Sequence, residues 1–397
     1  MFREEECFGL ETIPGKNEHS EKSKFERIEY IQNNTGQSLT EINRTSLSAN
    51  DMHGYVENFI GAVQVPVGLA GPLLFHGKDV QGLVSAPFAT SEGALVASAC
   101  RGSRLLSTAG GVSTLVLAET VHRAPCFNCR SLREAMDLKD FIDKQVPMLK
   151  TLVRNASRYA ELQEVHCVAN GRSLHVIMHF STGDAAGQNM VTIVADHLAK
   201  WIAKEAHEKG DILIRSYQVE GGMNGDKKVN FYSFLKGRGV RVAAECFIPD
   251  HIFRQQMRLE PEVFFEHYQR GLAATVLAGG VGVNVNVANV IAAIFLATGQ
   301  DVASVHESSV GYLHIEKEKD GLYCCLTLPS LLIGTVGGGT SLPTQKEALQ
   351  LLSCEGAGKK HRLAEIIAGF CLALDISTWS AIAAHGFTQA HKTLGRR

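Results

Sequence analysis

Leu174-His175-Val176-Ile177-Met178-His179-Phe180 runs through Ser181-Thr182-Gly183-Asp184-Ala185-Ala186-Gly187 into Gln188-Asn189-Met190. The first seven residues read as a strand. From Met190 onward, Met190, Val194, Leu198 and Trp201 share one face of a helix that Gly210 ends. The join is made of small residues, so backbone N–H groups stand free at a helix N-terminus, a natural seat for a phosphate. Working outward, Asn170-Gly171 marks a hairpin turn to a strand over 164–168, preceded by a helix over 131–154 and a strand over 114–121. A strand over 212–219 follows the second helix. The order βαββαβ is the split-βαβ, ferredoxin-like arrangement, and it predicts a compact domain over about residues 124–218. No G-x-G-x-x-G fingerprint and no Walker A loop occurs, so the residues alone say only that a phosphate-bearing ligand binds.

The rest of the chain bounds this reading. With 397 residues, 45% of them hydrophobic and 20% charged, there is material for two or three domains with ample core. A net charge of −2 gives no basic surplus for nucleic acid or an anionic membrane. The ten cysteines lack disulfide or zinc spacing, and Cys126-x-x-Cys129 has no second pair, which fits reduced thiols in the cytoplasm. His175 and His179 share a strand face and read as structural, so no metal is expected. Met1-Phe2-Arg3 runs straight into acids, unlike a signal peptide. The uncharged stretch from Gly271 to Gln300 is rich in Gly and Asn, which suits buried turns better than a membrane span. The expectation is a soluble protein.

Between Asp79 and Arg101 the one charge is Glu92, in Pro87-Phe88-Ala89-Thr90-Ser91-Glu92-Gly93-Ala94-Leu95-Val96-Ala97-Ser98. Thr90 or Ser91 would cap a helix with Glu92 in its first turn, where the dipole tolerates an anion. Equally, a lone acid among small residues describes a carboxyl group shielded from water, with a pKa raised enough for general-acid work.

Around these residues stand Glu57-Asn58-Phe59-Ile60-Gly61, Val65-Pro66-Val67-Gly68-Leu69-Ala70-Gly71-Pro72-Leu73, Arg101-Gly102-Ser103-Arg104, Asp226-Lys227-Lys228, Gly299-Gln300-Asp301, Gly334-Thr335-Val336-Gly337-Gly338-Gly339-Thr340 and Ala390-His391-Lys392-Thr393. With the loop at 183–190, these blocks resemble the 3-hydroxy-3-methylglutaryl-CoA reductase family, in its class I-like form without a membrane anchor. The resemblance covers nearly everything after residue 50. It implies an α+β fold: a large mixed domain carrying an inserted ferredoxin-like, non-Rossmann cofactor domain. The organisation becomes a small helical segment over 1–48, a large substrate and CoA domain over 49–123 and 230–397, a small NADP-binding domain over 124–218 and a catalytic loop over 219–229.

The implied reaction is reduction of a CoA thioester to mevalonate by two hydride transfers from NADPH. Each transfer places charge on a carbonyl oxygen, and the departing thiolate needs a proton. By resemblance, Lys227 is the cation for that oxygen, Glu92 the proton donor, Asp301 their hydrogen-bonding partner and His391 the acid for the thiolate. Ser157 and Arg158 match contacts to the adenosine 2′-phosphate, with Asp184, Gln188 and Asn189 lining the cofactor site. Arg101 and Arg104 match CoA-phosphate contacts, Arg123 a contact to the substrate carboxylate, and Asn289 a substrate-side asparagine. The resemblance further implies a homodimer or higher homo-oligomer with active sites between subunits. The chain departs from the family pattern at Glu220, where an acid would repel the substrate carboxylate, at Asn286 in place of a histidine, and at Gln269 or Arg270 in place of a lysine. These departures leave open a different acyl-CoA thioester, or a non-catalytic CoA- or nucleotide-binding relative.

Overall fold

A computed structural model describes residues 12–384, which fall into two units meeting between Pro66 and Val67. In the first, α1 (Glu21–Thr35) is followed by α2 (Thr40–Asn43) and a 3-10 turn over Ala49–Met52. Ser20 caps α1 by accepting from the Ser23 N–H, and Gly36 ends it in the left-handed conformation. Arg27, buried, donates to the carbonyls of Pro14, Gly15, Glu18 and Phe59 and so fastens the loops around α1.

The second unit runs β1 (Val67–His76), β2 (Gln81–Ala89), α3 (Leu95–Thr108), β3 (Ser113–Arg123), β4 (Cys126–Cys129), α4 (Leu132–Ala156), β5 (Glu161–Asn170), β6 (Ser173–Ser181), α5 (Gln188–Gly210) and β7 (Ile214–Gln218). It continues with α6 (Phe231–Lys236), β8 (Gly239–Pro249), α7 (Asp250–Met257), α8 (Pro261–Leu277), α9 (Val287–Thr298), α10 (Val305–Ser308), β9 (Tyr312–Lys317), β10 (Gly321–Leu331), α11 (Pro343–Leu351) and α12 (Lys360–Ala383). β1 and β2 form a hairpin, while the other strands make one antiparallel sheet in the order β7-β4-β6-β3-β8-β10-β9, with β5 on β6. The unit is thus mixed α/β with antiparallel sheets.

Strand β3 belongs to both halves of that sheet. Ser113–Thr120 pairs with β8, and Val121–Arg123 pairs with β6. The βαββαβ run therefore opens on β4, which pairs with β6 and β7, rather than on 114–121 as the sequence suggests. Ala124-Pro125 divides β3 from β4 along the same edge of β6, and the Pro125 carbonyl still accepts from the Val176 N–H. Proline has no N–H to offer the ladder, and four residues are too few to show a strand period, which is why β4 escapes a reading of the sequence. Phe127, Leu138, Ile142, Leu174, Phe180, Val194 and Leu198 form a separate apolar core where α4 and α5 cover this part of the sheet.

The larger core is built around α12, whose residues are buried on every side. A helix apolar all round must be central. By length and composition it could cross a membrane, yet 83% of that window is buried inside the protein. Gly369 does not interrupt it: a Cβ there would lie 2.3 Å from the Phe75 ring, so glycine is set by packing. Gly102 on α3 is tighter still, since its Cβ would lie 1.9 Å from the Ala373 carbonyl oxygen. Two acids on α12 satisfy distant backbone. Glu365 accepts from the Asp79 and Val80 N–H groups and the Thr114 hydroxyl, and Asp375 from the Val285 and Asn286 N–H groups.

Candidate active site

Arg123 at the end of β3, Gln188 and Asn189 at the start of α5, Asp226 and Lys227 before α6, and Asp301 after α9 line one cavity of about 580 Å³. Its opposite wall is Gly337-Gly338-Gly339, in the loop after β10. Lys227 Nζ stands 3.2 Å from Asp301 Oδ2. Gln188 Nε2 donates to the same oxygen and to Ser304 Oγ, each at 3.1 Å. Asp301 also caps the turn that follows it, accepting from the Ala303 N–H. One carboxylate thus serves as a cap with one oxygen and as a partner to Lys227 with the other.

Lys227 sits at φ +54°, a conformation that costs a non-glycine residue on the order of 1 kcal/mol. Its neighbours hold it there. His306 Nδ1 lies 2.9 Å from the Lys227 carbonyl oxygen. Asp226 is paired by Arg238 at 3.0 Å and by Arg123 at 3.3 Å, and Arg238, fully buried, also pairs with buried Glu307 at 2.9 Å. Burial pushes the Glu307 carboxyl upward and the Arg238 guanidinium downward, and each offsets the other's shift. Sequence reading missed His306, Arg238 and Glu307. Arg238 stands between two glycines and looks like an exposed turn.

Beneath this network His122 is buried, and neither ring nitrogen has a partner among the described residues. Burial, aided by His179 and the two nearby arginines, pushes it down to about 3, so it is neutral packing. His179 lies within hydrogen-bond distance of Thr120 Oγ1 and Tyr232 Oη.

A second cavity, of about 230 Å³, contains Glu92, Ser98, Arg101, Asn286, Asn289 and Thr378. Asn289 Nδ2 donates to Glu92 Oε2 at 2.6 Å. Glu92 is not in the first turn of α3, which begins at Leu95 behind Ala94 at φ +72°; Thr90 Oγ1 accepts the Glu92 N–H instead. Nor do the described residues shield Glu92 from water: it is exposed. None of the residues around this cavity lines the one holding Lys227 and Asp301. Arg101 is committed to the Ser377 hydroxyl and carbonyl, joining α3 to α12, while Arg104 on the next turn is exposed.

Of the residues matched to the cofactor, Gln188 and Asn189 line the large cavity and Asp184 does not. The Asp184 carboxylate accepts from the Gly358, Lys359 and Lys360 N–H groups and so caps the start of α12. Lys360 Nζ pins the same loop by donating to the carbonyls of Gly183 and Ala185 and pairing with Glu119. Ser157 ends α4, its Oγ accepting from the Tyr159 and Ala160 N–H groups, and Arg158 beside it is exposed. Glu220 does not stand as a free repelling charge: it pairs with Arg123 and accepts from Asn224 Nδ2. His391 lies outside the described residues.

The sequence model of the family described as hydroxymethylglutaryl-coenzyme A reductase matches residues 23–396. Relatives named 3-hydroxy-3-methylglutaryl-coenzyme A reductase include one from Pyrococcus abyssi, 39% identical over 93% of this chain and 92% of its own length. Another, from Aeropyrum pernix, is 40% identical over 92% of this chain and 88% of its own. Among solved structures, the class II 3-hydroxy-3-methylglutaryl-CoA reductase of Streptococcus pneumoniae, bound to NADPH in open conformations, superposes with a TM-score of 0.68. It is 20% identical and covers 90% of this chain and 96% of that one, a likeness of fold. Sequence along nearly the whole chain and fold together place this chain in the hydroxymethylglutaryl-coenzyme A reductase family of oxidoreductases.

Proposed function

We propose that the protein reduces 3-hydroxy-3-methylglutaryl-CoA to mevalonate and CoA, consuming two NADPH. The observation that carries the reading is the Lys227–Asp301–Gln188 cluster in a cavity walled by a helix N-terminus and a glycine loop. The chemistry of this set suits a dinucleotide. At Gly337 and Gly338 a Cβ would meet nothing within 4 Å among the described residues, so the backbone borders open space that side chains would fill. Ala185, Ala186 and Gly187 bring the start of α5 to the same cavity, which suits phosphate. Gln188, Asn189, Ser157 and Arg158 would hold NADPH, with Arg158 toward the 2′-phosphate. When bound, NADPH supplies hydride.

The protein's own groups handle charge and protons. Lys227 neutralises the oxygen that becomes negative at each reduction, with Asp301 fixing the ammonium. Glu92 donates the proton to that oxygen, and Asn289 orients it. His391 protonates the CoA thiolate. Arg123 receives the acyl carboxylate, and Arg104, with Arg101, lies toward the CoA phosphates. Glu92 and Lys227 line separate cavities of one chain, which supports a homodimer or higher oligomer in which one subunit's Glu92 meets another's Lys227. The strand order β7-β4-β6-β5 with α4 and α5 supports a ferredoxin-like cofactor domain over 124–218, inserted between 49–123 and 230–397, with 219–229 as the catalytic loop. The cysteines among the described residues are free thiols, which fits a cytoplasmic setting.

Incubation of the purified protein with the thioester and NADPH should oxidise two NADPH for each mevalonate formed. No mevalonate under those conditions would defeat the reading. A preference for another acyl-CoA is no longer called for by Glu220, whose charge Arg123 already balances.

A further inference from the structure

Arg123 is 3% exposed, yet it lines the large cavity and is bonded to two carboxylates, those of Asp226 and Glu220, and to the Gln188 carbonyl. The two carboxylates are not equivalent. Asp226 is also paired with buried Arg238, so its departure would take a carboxylate from a second buried guanidinium and leave it Glu307 alone. Glu220 has a side chain 53% exposed, and its other contact is the neutral amide of Asn224. An ion pair open to water on one side is weakly held. Without Glu220, Arg123 would keep the Asp226 carboxylate, which it shares with Arg238, so an arriving anion would restore its second ion pair. A carboxylate suits that place, since its two oxygens match the guanidinium edge that Glu220 leaves.

We propose that Glu220 is a resident stand-in for the ligand's carboxylate: it occupies Arg123 in the free protein and is displaced when the acyl carboxylate arrives. Binding at this contact is then an exchange of one anion for another, and Glu220 acts as an internal competitor that raises the substrate KM without entering the chemistry. The inference rests on the reading of Arg123 as the seat of the substrate carboxylate.

The test uses the full-length protein with E220Q and E220S, neither of which removes a buried group. Free 3-hydroxy-3-methylglutarate is titrated calorimetrically, and KM and kcat are measured with the CoA thioester and NADPH. Both variants should bind the diacid about tenfold more tightly and show a similar fall in thioester KM, the scale of one charge-assisted contact no longer contested. The NADPH KM should stay within twofold, roughly the scatter of independent sites. Unchanged or weaker diacid binding in both variants, or no diacid binding to any of the three proteins, overturns the proposal. A wild-type protein that binds the diacid but leaves the thioester unreduced counts against the functional reading alone, and the shift between wild type and variants still decides the role of Glu220.

Discussion

Lys227 carries its charge on a backbone bent to φ +54° and gripped through Asp226, Arg238 and His306. A donor preorganised in this way is worth about 100- to 1,000-fold in turnover, so Lys227→Ala should lower kcat by that factor while fold and NADPH affinity persist. Steady-state kinetics beside a thermal melt would check this. Asp375 offers a pH test of the buried framework. Burial lifts its carboxyl from an ordinary 3.8 to about 7, although the Asn286 and Val285 N–H groups pull the other way. Between pH 4 and 7 the folded protein keeps this proton and the unfolded chain has lost it, so the group removes stability as pH rises, by roughly 1.4 kcal/mol per unit. Asp375→Asn lacks that dependence. Its stability relative to wild type should climb from pH 4 to 7 and level off above, as read from denaturant curves. Lys227 and Asp301 were legible in the sequence because their short blocks resemble a family pattern. Arg238, Glu307 and His306 were not, since their pairing depends on which loops meet and no local spacing encodes it.

At the level of elements, the strand over 173–181 and the helices on either side of the small core follow from apolar periodicity and the Asn170-Gly171 turn, and they form where the sequence places them. What periodicity cannot report is a strand split by proline, hence β4, or a helix delayed by a left-handed alanine, hence the start of α3 at Leu95. Asp184 shows the same limit. Its loop reads as a ligand loop, and its carboxylate is spent on a helix start more than 170 residues away. Helices α3 and α12 touch at Gly102, where a Cβ would strike the Ala373 carbonyl. Gly102→Ala should therefore force the two apart and cost about 1–3 kcal/mol. Because Arg101 and Ser377 bridge the same pair of helices, the shift should also loosen the Glu92 cavity. Equilibrium unfolding with kcat measured on the folded fraction would separate the two effects.

For the molecule as a whole, the separation of Glu92 from Lys227 gives a test that single variants cannot. Glu92→Gln and Lys227→Ala should each be nearly inactive, yet the two mixed, unfolded and refolded together should recover about a quarter of wild-type activity, since half the dimers are hybrids with one intact site. No recovery in hybrids isolated by dual tags would place both residues in one subunit's site. The central position of α12 has a consequence during synthesis. Glu365 on this helix satisfies backbone at Asp79 and Val80, and Asp375 satisfies backbone at Val285 and Asn286. The elements of the larger core translated before Lys360 therefore leave the ribosome without the apolar rod they must wrap. Such a nascent chain exposes the inner surfaces of α3, β1 and β8 for as long as translation lasts, and contacts so distant in sequence close slowly. Ribosome-bound chains stalled before Lys360 should be cut by protease throughout this region and should engage holding chaperones. Stalling with α12 fully emerged should protect the same stretch in a single step.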